Sequence, residues 1–97
     1  MLGEARKKGA RLLARFGSEL KDYRMLVLAV LAQAGPLDLE GIASHLGIGV
    51  AMAGPLVDQL ILACLVTLAG DAYDIDTEQF ETLVANLEGA EPARGRS

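Results

Sequence analysis

The chain is expected to be mainly α-helical with one small β-hairpin. Three observations predict this. Apolar residues recur at helical spacing in five separate segments. Gly, Pro, Asp and Ser sit at the joints between those segments. Two short β-prone stretches flank Gly70-Asp71. Ninety-seven residues, 52% of them hydrophobic, are enough for one domain with its own core. Only four residues are aromatic, so that core must be mainly Leu, Val, Ile and Ala.

Residues 3–16 read as the first helix. Leu2, Ala5, Gly9, Leu12 and Phe16 fall on one stripe, with Leu13 beside it. Lys7, Arg11 and Arg15 repeat every four residues on another face, with Arg6 and Lys8 nearby. Gly17-Ser18 is expected to break the segment. This divides a basic amphipathic helix at residues 1–18 from a body at residues 19–88. The second helix should run from about Glu19 to Ala34. Its stretch Met25–Leu31 is apolar all round and must be covered on more than one side.

Gly35-Pro36 ends that helix. Leu39–Leu46 then makes a short third helix, capped by Asp38, with Leu39, Ile42, Ala43 and Leu46 inward. Gly47 suits the left-handed conformation that ends a helix, and Ile48 plugs the corner. A fourth helix spans about Val50–Ala63, with Leu56, Val57, Leu60 and Ile61 at helical spacing. Because Gly54-Pro55 lies early in it, regular helix is expected only from about Gly54. Leu65–Ala69 and Tyr73–Asp76 read as strands. Thr77 is expected to cap a last helix reaching about Leu87, with Phe80, Leu83, Val84 and Leu87 buried. Residues 89–97, GAEPARGRS, read as a disordered tail.

Charge is distributed unevenly. Residues 1–24 hold seven Lys/Arg against three Asp/Glu. Residues 25–93 hold ten acids and neither lysine nor arginine. Arg94 and Arg96 bring the total to −4. A basic arm is therefore joined to an acidic body. Cys64 is the only cysteine, which excludes an internal disulfide and a cysteine-based zinc site and fits a reducing cytoplasm. The apolar run Met25–Ala34 is about half the roughly 20 residues a membrane span requires. Glu19 and Asp22 beside it argue against a secretory signal.

One block of residues carries a resemblance. Leu39-x-x-Ile42-Ala43-x-x-Leu46-Gly47-Ile48 is followed by Leu56-Val57-x-x-Leu60 and then Ala63-Cys64-Leu65-Val66. Over about residues 20–88 this resembles the winged helix-turn-helix bacterial transcription regulators of the arsenic-repressor and multiple-antibiotic-repressor type. The resemblance implies a winged helix-turn-helix with an extra N-terminal helix and a C-terminal helix. It also implies a recognition helix at Val50–Ala63 and a wing at the hairpin. The family's usual Ala-Gly-Leu-Val corner has Cys64 in place of glycine.

The resemblance also implies DNA binding, which the charges oppose. Phosphates demand cations, and base edges are read by Arg, Lys, Asn or Gln. The outward positions expected here are Val50, Ala51, Gly54, Pro55 and Asp58, and the wing offers Asp71, Tyr73 and Asp74. Two functions compete. In the first, the chain is a regulatory module that contacts another protein through Val50, Ala51, Met52, Pro55 and Asp58, with Ala53 and Leu62 beside them. In the alternative, it is a DNA-binding regulator whose phosphate clamp is Arg6, Lys7, Lys8, Arg11 and Arg15.

In either case the chain is expected to be a homodimer packed through Leu12, Leu13, Phe16, Met25 and Leu28. No nucleophile–base set, phosphate loop or catalytic acid pair stands out, so no enzyme activity and no cofactor are expected. Asp71, Asp74, Asp76 and Glu78 fit no calcium-loop spacing. His45, the single histidine, reads as a surface residue near a helix end.

Overall fold

The computed structural model describes residues 2–89, with side chains from residue 7 onward. Five helices and one antiparallel hairpin follow in the order α1 (Leu2–Leu20), α2 (Tyr23–Ala34), α3 (Leu39–Leu46), α4 (Val50–Leu62), β1 (Val66–Ala69), β2 (Ala72–Ile75) and α5 (Thr77–Gly89). Arg6 is in α1, but its side chain lies outside the described residues, as do those of Leu2 and Ala5. The tail expected at 89–97 lies outside them too, except for Gly89, which closes α5.

α2 is the centre of the packing. Val27, Leu28, Ala29, Leu31 and Ala32 are all buried, and α1, α3, α4 and β2 all lie against it. An apolar helix is thus covered on several sides, as its composition requires. Ala10 and Leu13 of α1, Ile42 of α3, Val57 and Leu60 of α4, Val66, Ile75 and Phe80 complete the core.

The hairpin pairs Val66 with Ile75 and Ala69 with Ala72. β2 is also bonded on its other side: Tyr73 and Leu37 exchange backbone hydrogen bonds of 2.7 and 3.0 Å. The hairpin is thereby tied to the link between α2 and α3. No residue type around Leu37 signals this rung.

α1 does not break at Gly17-Ser18. It continues to Leu20, and α2 begins at Tyr23 rather than Glu19. Gly17 has a packing role instead. A Cβ there would lie 2.9 Å from Leu26 Cδ2 and 3.2 Å from the Asp22 carbonyl oxygen. The chain turns at Lys21, whose φ of 57° is left-handed. Asp22 then caps α2, its carboxylate accepting from the Arg24 backbone N–H at 3.0 Å.

α1, α3 and α4 end by one device. A residue just past the helix, the first after α1 and α3 and the second after α4, takes a left-handed φ, and the next N–H donates back to the carbonyl five residues earlier, as in a Schellman motif. The left-handed residues are Lys21, Gly47 and Cys64 (φ 57°, 69° and 65°). The returning bonds are Asp22 to Gly17 at 2.9 Å, Ile48 to Ala43 at 3.0 Å and Leu65 to Leu60 at 2.9 Å. Cys64 therefore occupies a backbone position that favours glycine, at an exposed corner and not in a buried turn.

Two further boundaries differ from expectation. α4 is helical from Val50, because the Gly49 carbonyl accepts from both Met52 and Ala53 at 3.0 Å. Pro55 leaves only the Ala51 carbonyl without its usual donor four residues on. α5 is capped by Asp76, not Thr77: the Asp76 carboxylate accepts from Gln79 N–H at 3.1 Å. The expected Asp38 cap of α3 is present, accepting from Gly41 N–H at 2.7 Å. α3 and α4 are joined by three residues, 47–49, and the chain bends by 110° between them.

Candidate interaction surface on α4

α4 buries one side and presents the other. Ala53, Val57 and Leu60 face the core. Ala51, Pro55, Asp58 and Leu62 are exposed and follow one another at spacings of four, three and four. At 100° per residue these four form a line down the outward side, about 16 Å long at 1.5 Å per residue. Met52 flanks the line at 51% exposure, and Leu62 ends it at 84%. Val50 is exposed at the first position of the helix.

Of the sequence-derived surface, Ala51, Pro55 and Asp58 lie on this line, while Val50 and Met52, also exposed, stand about 100° to either side of Ala51. Ala53, grouped with them on sequence, is fully buried and does not belong to it.

No Lys or Arg falls on α4 or on either strand. A basic side chain does reach the C-terminal half of α4: Arg24 places Nη1 3.5 Å from Gln59 Oε1. Its guanidinium is already held by Asp22, with Nε and Nη2 each 3.2 Å from a carboxylate oxygen. That hydrogen bond, aided by the Arg24 and Met25 backbone N–H groups and by the positive charge, outweighs partial burial and holds the Asp22 carboxyl below its ordinary range. It also keeps the guanidinium more firmly protonated.

The start of α3 packs on the middle of α4. The nearest side-chain atom to a Cβ built at Gly54 is Leu39 Cδ2, at 3.8 Å, which brings the first residue of α3 against the middle of α4. In the hairpin, the Asp74 carboxylate accepts from the Ile75 N–H at 2.8 Å. His45 is exposed at the end of α3, its Nδ1 2.9 Å from the Gly41 carbonyl. Among the described residues, no group of three or more His, Cys, Asp or Glu is placed to hold a metal ion.

The cations lie elsewhere. Lys7, Lys8, Arg11 and Arg15 are exposed on α1, Lys21 is in the link and Arg24 is in the first turn of α2. Lys8, Arg11 and Arg15 surround half-exposed Leu12. Lys8 reaches Glu88 of α5 at 3.7 Å, and the Arg15 guanidinium lies 5.4 Å from the centre of the Phe16 ring.

Of the residues expected to pack a second subunit, Leu13 and Leu28 are 0% and 1% exposed within the single chain. Their surfaces are spent on its own core, so they are corrected from subunit contacts to core residues. Leu12, Phe16 and Met25 keep part of their surface open. Leu20 and Tyr23, beside the α1–α2 link, are more exposed still, at 62% and 40%. Sequence periodicity missed them because they belong to the junction rather than to a stripe.

No protein-family profile matches the chain. No curated protein matches it. Among solved structures it is similar to the crystal structure of RV1404 from Mycobacterium tuberculosis, at 22% identity and a TM-score of 0.59. The match covers 89% of this chain and 65% of that one. At this identity the likeness shows the fold alone, a mainly helical chain with one two-stranded hairpin. Among the described residues, no single helix is long and apolar enough to cross a membrane.

Proposed function

We propose that this chain is a winged-helix regulatory module that acts by protein–protein contact through the outward side of α4. The three-residue link and the 110° bend between α3 and α4 fall in the range of a helix-turn-helix, and a hairpin follows α4 as a wing would. Function rests on the site rather than the fold. One observation carries the reading. The helix that would enter a DNA groove presents Ala51, Met52, Pro55, Asp58 and Leu62 to solvent, and no cation. Such a surface lacks the charges that bind phosphate and the bidentate donors that read guanine. Exposed apolar residues grouped on one side suit a protein partner.

A DNA-binding regulator is the second reading. The observation favouring it is the exposed line of Lys7, Lys8, Arg11 and Arg15 on α1, which two subunits would double. Half-exposed Leu12, Phe16 and Met25 are the residues left to join those subunits in a cytoplasmic homodimer. Light scattering that finds only monomer at tens of micromolar would count against that dimer.

Titration with mixed-sequence duplex DNA at two salt concentrations separates the readings. Under the protein-contact reading, any DNA binding is weak, indifferent to sequence, steeply salt-dependent and lost when Lys7, Arg11 and Arg15 are replaced by Ala. Tight duplex binding whose sequence preference changes with Asp58→Ala or Val50→Ala would overturn it.

A further inference from the structure

Resting on the protein-contact reading, we infer that the partner of α4 is a cationic amphipathic helix, seated along Ala51, Pro55, Asp58 and Leu62 with a Lys or Arg set on Asp58. The line is about one and a half times the length of two helical turns. It is narrow and small-featured at Ala51 and apolar at Pro55 and Leu62, which suits the apolar stripe of another helix.

Asp58 is an exposed carboxylate, and Pro55 deprives the Ala51 carbonyl of its donor four residues on. The surroundings have the same sign. Residues 25–89 carry nine Asp/Glu and no Lys or Arg, and Arg24, the basic side chain that reaches Gln59 of α4, is paired with Asp22. A partner thus meets an apolar line that carries a carboxylate on a body without lysine or arginine, and complementarity calls for a cation beside an apolar stripe. A second copy of α4 fits worse, because it brings a second Asp58 and no cation to the contact.

The test is fluorescence anisotropy with the full chain and three labelled 18-residue peptides: a Leu/Lys amphipathic helix, the same composition scrambled, and the Leu/Glu counterpart. The Leu/Lys helix should bind at least tenfold more tightly than either control. Leu62→Glu and Asp58→Lys should each remove that preference, whereas Glu78→Lys, on the exposed start of α5, should leave it. Circular dichroism checks that the variants stay folded.

Equal binding of ordered and scrambled Leu/Lys peptides, or the same loss with Glu78→Lys, would overturn the inference by reducing it to general attraction to an acidic protein. Leu62→Glu-sensitive binding of the Leu/Glu helix would overturn the partner's chemistry and leave the contact surface standing. So would a dimer that Leu62→Glu dissociates. If no peptide and no self-association responds to Leu62→Glu, both the inference and the proposed surface fail.

Discussion

Gly9 of α1 lies directly on the ring of Phe80 in α5. A Cβ at Gly9 would sit 2.9 Å from Phe80 Cε2 and Cζ, and equally close to Val84 Cγ2. The first and last helices touch through an absent side chain, and Phe80, 2% exposed, cannot easily give way. Gly9→Ala is therefore expected to destabilise the fold. Overpacking costs about 1–3 kcal/mol, and the roughly 1 kcal/mol by which Ala is the better helix former offsets part of it. Chemical denaturation measures the net effect. An unchanged or higher midpoint would mean that α1 and α5 do not meet this closely.

Leu12 and Leu13 give a paired test of how α1 sits on the body. Leu13 is fully buried and Leu12 half-buried. Leu13→Ala should cost about 2–5 kcal/mol, and Leu12→Ala well under half of that. Equal losses, or the reverse order in thermal unfolding, would show that the helix is rotated from this placement.

Cys64 holds a left-handed φ of 65° at the corner after α4. Cys64→Gly relieves that conformation, while Cys64→Ala keeps it. The side chain is exposed, so little burial is lost either way. The glycine variant should exceed the alanine variant by up to about 1 kcal/mol. Identical melting temperatures would argue against the left-handed corner.

Asp22 should leave a mark on acid stability. Its folded pKa is depressed, chiefly by the Arg24 side-chain hydrogen bond, from an ordinary value of 3.8. A lowered carboxyl contributes stability that is fully present above its unfolded value and lost as pH falls through the folded one. Stability should thus decline from about pH 4 downward, and Asp22→Asn should flatten this part of the curve. Asn is as good a helix cap as Asp, whereas Asp22→Ala should cost about 1 kcal/mol at neutral pH through the lost cap. An acid limb unchanged by Asp22→Asn would sink the assignment.

The legibility of the sequence depended on how each position reveals itself. Apolar spacing placed the five helices, and the β-prone stretches on either side of Gly70-Asp71 placed the two strands. Gly47 announced a helix end, since glycine is the ordinary tenant of a left-handed position. Lys21 and Cys64 take the same conformation with side chains that give no hint of it. Gly17 misled in the opposite direction: a glycine that admits a neighbouring helix looks, in one dimension, like one that ends its own.

The candidate surface was readable in composition but not in facing. Absence of cations from residues 25–93 is plain in the sequence. That Ala53 turns inward while Met52 turns outward depends on α4 starting at Val50, which Pro55 obscured. Leu13 and Leu28 were misassigned for a related reason, because an apolar stripe does not say whether its own chain or a second one covers it.

The cations of α1 form a local basic patch on a molecule of negative net charge. Its sequence isoelectric point is about 4.8 and its net charge −4, so bulk behaviour at neutral pH should be that of an anion. Yet Lys7, Lys8, Arg11 and Arg15 are exposed on one helix, with Lys8 paired to an acid, Glu88 of α5. The protein can therefore adhere by that end to a negatively charged resin or surface while remaining anionic as a whole, and its retention there would report orientation rather than net charge.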